Sequence, residues 1–154
     1  MREFDEKQFK SVSGEDLDIE ESKEEKEAAE KQAEESKDLL EFMKESLDDK
    51  VSEVKLSHRL KSHPVCLTSK GGLSIEMEKV LNAMPTDEKV QAERVLEINA
   101  KHPVLEKLKK EYDTDKDTVK KYAALLYDQA RLIEGLPIED PVEFSNAVCE
   151  LMTK

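Results

Sequence analysis

The sequence predicts an α+β domain with a small three-stranded sheet, flanking helices and a helical hairpin near the end of the chain. Three short runs rich in Val and Leu, each bounded by turn-forming residues, indicate the strands. Around these runs, apolar residues recur at the three- and four-residue spacing of amphipathic helices. A chain of 154 residues suits one domain and can bury these apolar faces in a single core.

The first part of the chain is acidic and mostly polar. Residues 1–20 have few apolar positions, are interrupted by Gly14, and resemble the frayed end of another unit. Residues 21–47 contain neither Gly nor Pro and predict a long helix, which Ser22 can cap. Only the last turns of this helix are expected to pack on the core, because its apolar residues come late: Leu39, Leu40, Phe42, Met43 and Leu47.

The predicted strands cover residues 51–56, 64–68 and 95–99. Between the second and the third, residues 73–84 predict a helix, entered through two glycines and ended by Pro85. The apolar residues of this helix form one stripe, made of Leu73, Met77, Val80, Leu81 and Met84. Core packing is the favoured interpretation of such a stripe, although an exposed stripe that contains methionine could bind partners of different shape.

A short helix is predicted to begin at Pro103, and Thr114 or Asp115 can cap the helix that follows it. That second helix extends to about Glu134 and is apolar on more than one side. Gly135 is expected to end it, and a last helix begins with an Asp-Pro pair at residues 140–141.

These last two helices are predicted to form an antiparallel hairpin. A hairpin that is apolar on two sides can cover its own domain with one side and a second copy of the chain with the other. The expected product is a four-helix bundle across a two-fold axis. The alternative, in which both sides serve the internal core, stays open from these residues alone.

Charge and composition exclude several classes of function. The net charge is −12, and residues 1–50 hold 19 acidic and 9 basic side chains. Such a chain repels phosphate backbones and anionic lipids, so neither nucleic acid nor a membrane is an expected partner. Two cysteines, no signal-like segment and no apolar run near the ~20 residues of a membrane span favour a cytoplasmic location.

No motif in the sequence predicts chemistry. A phosphate-binding glycine loop and a catalytic triad motif are both missing, so the chain is not expected to be an enzyme. His58, His63 and Cys66 offer zinc-ligating side chains close together in sequence, but a structural zinc needs four ligands in paired spacings. Cys66 is therefore interpreted as a small buried apolar residue, and no metal or cofactor is expected.

Three segments resemble the heat-shock protein 90 chaperone family of bacterial type: VKLSHRLKSHPVCLT at 54–68, RVLEINAKHPVL at 94–105, and YAALLYDQARLIEGLPIEDPVEF at 122–144. They follow one another in the family's order and spacing. The resemblance implies that residues 21–154 are the C-terminal dimerisation domain and residues 1–20 the end of the preceding middle domain. It also implies that ATP and Mg bind in an N-terminal domain that nothing in this chain resembles.

The resemblance implies a homodimer that belongs to an ATP-dependent chaperone of the stress response. The dimer interface would contain Leu126, Gln129, Ile133, Phe144, Val148, Leu151 and Met152. Unfolded or partly folded client proteins would contact the stripe of Leu73, Met77, Val80, Leu81 and Met84. The competing hypothesis is a free-standing acidic adaptor that binds a basic protein through the long N-terminal helix.

Overall fold

The computed structural model describes residues 3–4, 7–8, 30–85 and 90–153. Near the start of the chain, strands β1 (Glu3–Phe4) and β2 (Lys7–Gln8) pair as an antiparallel ribbon. The long predicted helix is confirmed over its described part, with a turn at Ser36 that separates helical residues 30–35 from α1 (Lys37–Ser46). The predicted residues 21–29, with the proposed cap Ser22, lie outside the described residues.

The three predicted strands are present and form one mixed sheet. They are β3 (Glu53–Ser57), β4 (Val65–Lys70) and β5 (Glu93–Asn99). Strand β5 lies in the middle, parallel to β3 and antiparallel to β4. In this register Leu96 lies between Val54 and Leu67, so all three side chains share the face that points to the core.

Four helices complete the domain: α2 (Ile75–Ala83), α3 (Pro103–Thr114), α4 (Lys116–Ile133) and α5 (Pro141–Met152). Their ends follow the signals in the sequence. Proline is the first residue of both α3 and α5, where its missing N–H costs no hydrogen bond. Gly135 ends the α4 segment with a positive φ of 68°, a backbone conformation that glycine adopts without strain.

The core lies between the inner face of the sheet and helices α1, α3 and α4. Helix α4 packs across β4, while α1 packs on β3 and on α4. The core side of α4 consists of residues spaced as one helical stripe: Val119, Ala123, Leu126, Tyr127 and Ala130. The late apolar residues of the first helix reach this core as predicted, since Leu39, Leu40, Met43 and Leu47 are buried.

The outer face of the sheet is organised around one carboxylate. Glu97 lies between Lys55 and Cys66 in the strand register and is only 1% exposed. Two of its hydrogen bonds, at 3.0 and 3.2 Å, come from the guanidinium of Arg59, and a third, at 3.1 Å, from the Thr68 hydroxyl. These partners offset the desolvation of a buried charge. None of the helices in the described ranges is long and apolar enough to cross a membrane.

Asp115 resolves the choice of cap for α4. Its carboxylate accepts hydrogen bonds from the backbone N–H groups of Asp117 and Thr118 and from the Thr118 hydroxyl, the last at 2.7 Å. The Asp115→Ala variant is therefore expected to lose about 1 kcal/mol of unfolding free energy, measured by denaturant titration. Asp113→Ala removes an exposed carboxylate two residues earlier and should change that free energy by less than about 0.5 kcal/mol. Equal losses in the two variants would contradict the capping role.

Candidate interaction surfaces

Helix α5 is an apolar helix that the chain leaves uncovered. None of its residues is buried, and its exposed side chains include Val142, Leu151 and, at 80% exposure, Met152. Near the end of the neighbouring α4, Leu132 and Ile133 are exposed as well. The hairpin therefore exposes large apolar side chains at both of its ends, which makes it a candidate interaction surface.

An apolar groove runs between α3, α4 and the end of α5. Its volume is about 490 Å³. Lys107 and Gln129 are the polar residues of its lining, and the apolar ones are Val104, Leu108, Tyr122, Leu125, Leu126 and Leu151. A groove of this composition is suited to an apolar helix or side chain of a partner.

The residues assigned to a dimer interface occupy three different environments. Ile133, Leu151 and Met152 are exposed, while Gln129, Phe144 and Val148 are half-buried along the hairpin. Leu126 is 5% exposed and belongs to the core of its own chain, although one edge of it reaches the groove.

Sequence reasoning missed Val142 as an exposed residue of α5. The available signal was its apolar side chain directly after Pro141.

Helix α2 carries the second apolar surface. Met77, Met84 and, at 58% exposure, Val80 are exposed, and Leu73 and Leu81 are half-buried. The favoured reading of this stripe as a core stripe is wrong. The buried positions of the helix are instead Ile75 and Glu78. The carboxylate of Glu78 can be buried because it pairs with the buried guanidinium of Arg94.

Polar contacts hold α2 on the domain. The Glu78 carboxylate accepts a hydrogen bond of 2.7 Å from Arg94 and one of 2.9 Å from the Ala92 N–H. The ammonium of Lys79 donates to the carbonyl of Glu134 at the end of α4, and the Asn82 amide makes two hydrogen bonds to the backbone of Val90. These contacts fix the orientation in which the apolar stripe faces outward.

Comparison with known proteins identifies the family to which these surfaces belong. The family model described as Hsp90 protein matches residues 1–154. The chain belongs to the Hsp90 family. It is 56% identical over 152 residues to the chaperone protein HtpG of Clostridium acetobutylicum, 55% identical to that of Halalkalibacterium halodurans and 51% identical to that of Bacillus subtilis. In each comparison 99% of this chain is covered, and it spans 24% of the relative's length. The resemblance noted in the three sequence segments is thereby confirmed.

The thiol of Cys66 in this Hsp90 chain is half-buried beside Glu97. Its Sγ lies 3.9 Å from the Glu97 carboxylate. Burial, and to a smaller degree the negative charge of Glu97, raises the pKa of Cys66 to about 12. A thiol with so high a pKa is a poor nucleophile and a poor metal ligand near neutral pH. Among the residues that the structure describes, no group of three or more His, Cys, Asp and Glu side chains is arranged to hold a metal ion.

Alkylation by iodoacetamide at pH 8 should distinguish the two cysteines of the folded chain. Cys149 is exposed on α5 and is expected to react, whereas Cys66 should stay largely unmodified. A pKa of about 12 leaves about one Cys66 thiol in ten thousand as thiolate at that pH. Peptide mass spectrometry gives both rates, and unfolding in guanidinium chloride serves as the control in which both cysteines react. Equal rates in the folded chain would show that Cys66 has an ordinary pKa.

Proposed function

We propose that this chain is the C-terminal dimerisation domain of a bacterial Hsp90-family chaperone and forms part of the surface that binds its clients. In this proposal residues 1–20 end the preceding middle domain and residues 21–154 form the dimerisation domain. The observation that carries the proposal is α5, an apolar helix without a single buried residue. The relatives named chaperone protein HtpG support the chaperone role.

A second copy of the same chain is the partner that fits the hairpin. In a two-fold dimer each hairpin contributes the same two helices, so the uncovered apolar sides of α4 and α5 can face their own equivalents in a four-helix bundle. An exposed ion pair of 3.0 Å between Lys121 and Glu150 joins α4 to α5. Leu151 lies at the groove between α3 and α4, where partner side chains could insert.

The role of such a domain is mechanical. A permanent link between two protomers makes the meeting of their remaining domains an intramolecular event at high effective concentration. ATP and Mg would bind in a domain outside this chain, so the chain itself is proposed to have no ATPase activity. We place the protein in the cytoplasm, with neither nucleic acid nor membrane as a partner.

Client binding is assigned to the exposed stripe of α2. Methionine is flexible and polarizable, so Met77 and Met84 can adapt to apolar segments of different shape. The stripe and the hairpin lie on different helices, which allows one surface to hold a client while the other holds the second protomer. This division of roles supports a chaperone over an acidic adaptor. The described end of the helix proposed for that adaptor packs Leu39 and Met43 into the core.

The dimer is tested by a double variant of α5, Leu151→Glu with Met152→Glu. Burying a carboxylate in an apolar interface without a partner costs about 2 kcal/mol or more, so the dimer dissociation constant should rise at least a hundredfold, ~3 kcal/mol in total. Sedimentation equilibrium measures the mass, and circular dichroism checks that the helix content is unchanged. Met77→Glu with Val80→Glu places the same two charges on α2 and should leave the dimer intact. A wild-type chain that is monomeric at all concentrations would refute the proposal.

Client binding is tested by Met77→Glu with Val80→Glu. Both side chains are exposed, so the variant should fold and dimerise normally. Two carboxylates in the stripe should weaken the binding of fluorescent, reduced and carboxymethylated lactalbumin about tenfold, measured by fluorescence anisotropy. Met77→Leu keeps an apolar side chain of similar size and should bind nearly as well as the wild type. Unchanged affinity in the double glutamate variant would exclude α2 as a client surface.

A further inference from the structure

A chain of polar side chains crosses the domain from α2 to the connection between α4 and α5. It begins at Glu78 on α2, whose carboxylate accepts a hydrogen bond of 2.7 Å from Arg94 on β5. The same guanidinium donates from its other terminal nitrogen to the hydroxyl of Tyr127 on α4, at 2.9 Å. One guanidinium therefore joins a residue of α2 to a residue of α4.

The aromatic ring of Tyr127 links the polar chain to two further cations. The guanidinium carbon of Arg131 lies 5.6 Å from the ring centroid and the ammonium of Lys50 lies 5.9 Å from it, both within the range of cation–π attraction. Both cations pair with Glu139, Arg131 through a short hydrogen bond and Lys50 at 3.4 Å. Glu139 lies in the connection between α4 and α5, two residues before α5 begins.

The inner members of this polar chain are withdrawn from water. Glu78, Arg94 and Arg131 are buried, and Tyr127 is 1% exposed. Charges in such a place interact more strongly than on a surface, and removing one leaves its neighbour uncompensated. At the far end, the hydrogen bond from Arg131 holds the pKa of Glu139 below its ordinary value, which shows that the cation stabilises the carboxylate.

Polar contacts, among them those of this polar chain, hold α2 more than apolar packing does. Ile75 is the only residue of the helix in the hydrophobic core of the described chain, and Glu78 is its other buried side chain. The orientation of Arg94 therefore decides whether Glu78 is satisfied. The Tyr127 hydroxyl in turn helps to fix that orientation.

We propose that the position of the α4–α5 connection controls the docking of α2, through the polar chain of Glu78, Arg94, Tyr127, Arg131 and Glu139. A second protomer that moves the connection would change how firmly α2 is held, and with it the presentation of Met77 and Val80. By linkage, a client that binds α2 would change dimer affinity by the same factor. This inference rests on the proposed function for the identity of the two ligands, a second protomer and a client. The coupling itself is a property of a single protomer.

Hydrogen–deuterium exchange of residues 75–83 in the 154-residue chain tests the coupling directly. Glu139→Gln removes the charge that pairs with Arg131 and Lys50 at a position whose side chain is 55% exposed, so the variant should fold normally. It is expected to speed the exchange of α2 about fivefold, the lower end of typical coupling energies. Glu143→Gln is the matched control, because it removes an exposed carboxylate from the first turn of the neighbouring α5. Equal exchange of α2 in the two variants would overturn the proposal.

A double-mutant cycle supplies the second readout. Tyr127→Phe keeps the ring and removes the hydroxyl that Arg94 binds, so it should also speed the exchange of α2. If Tyr127 and Glu139 act through the same polar chain, the double variant speeds the exchange of α2 by clearly less than the product of the two single effects. Tyr112→Phe changes a tyrosine of α3 that makes an edge-to-face contact with Phe42, and its effect should multiply with that of Glu139→Gln. Independent effects of Tyr127→Phe and Glu139→Gln would overturn the proposal.

The dimer measurement decides the proposed function separately. If the wild-type chain sediments as a monomer and α2 still responds to Glu139→Gln, the proposed dimer fails and the coupling stands. If the chain is a dimer and Glu139→Gln leaves the exchange of α2 unchanged, the proposed dimer stands and the coupling fails.

Discussion

Strand β5 is hydrogen-bonded along both edges, and six of its seven residues are buried, on both faces of the sheet. On the inner face Leu96 and Ile98 form the floor on which the core helices pack. On the outer face Glu97 gathers the cations of Lys55 and Arg59. Arg94, at the start of the strand, holds α2. A central strand paired on both sides cannot shift its register without moving all of these side chains, so the remaining elements take their positions from it.

The domain attaches its helices in two physically different ways. Helix α4 is held by apolar burial, which is strong but tolerant of small changes in direction. Helix α2 is held by directional hydrogen bonds and one buried ion pair, which fix its orientation and leave its apolar stripe exposed. Helix α5 has no buried residue, and its exposed side chains include Val142, Leu151 and Met152. The exposed apolar side chains of α2 and α5 are therefore not used by the core of the domain.

The sequence predicted most of the fold. The three strands and the order of the described helices are confirmed, and most element ends lie close to the predicted ones, because signals such as Pro103, Asp115 and Gly135 act within a few residues of where they stand. The family was also visible, since 99% of the chain is covered by relatives at more than half identity. The sequence was less informative about the two surfaces. It favoured a buried stripe on α2, whereas Met77 and Val80 are exposed, and it left open which side of α4 faces the core, where Leu126 is buried.

The difference has one physical reason. Strand patterns, caps and helix periods arise from interactions between residues that are close along the chain, so the sequence by itself determined the elements and their ends. Whether one face of a helix is buried depends on which residues lie opposite it in the folded domain. Glu78 is buried because it pairs with Arg94, which lies 16 positions later in the sequence. Tyr127, a further 33 positions on, completes that arrangement. Only the tertiary structure could decide these contacts, because the residues next to Glu78 in the sequence do not indicate that a partner is buried opposite it.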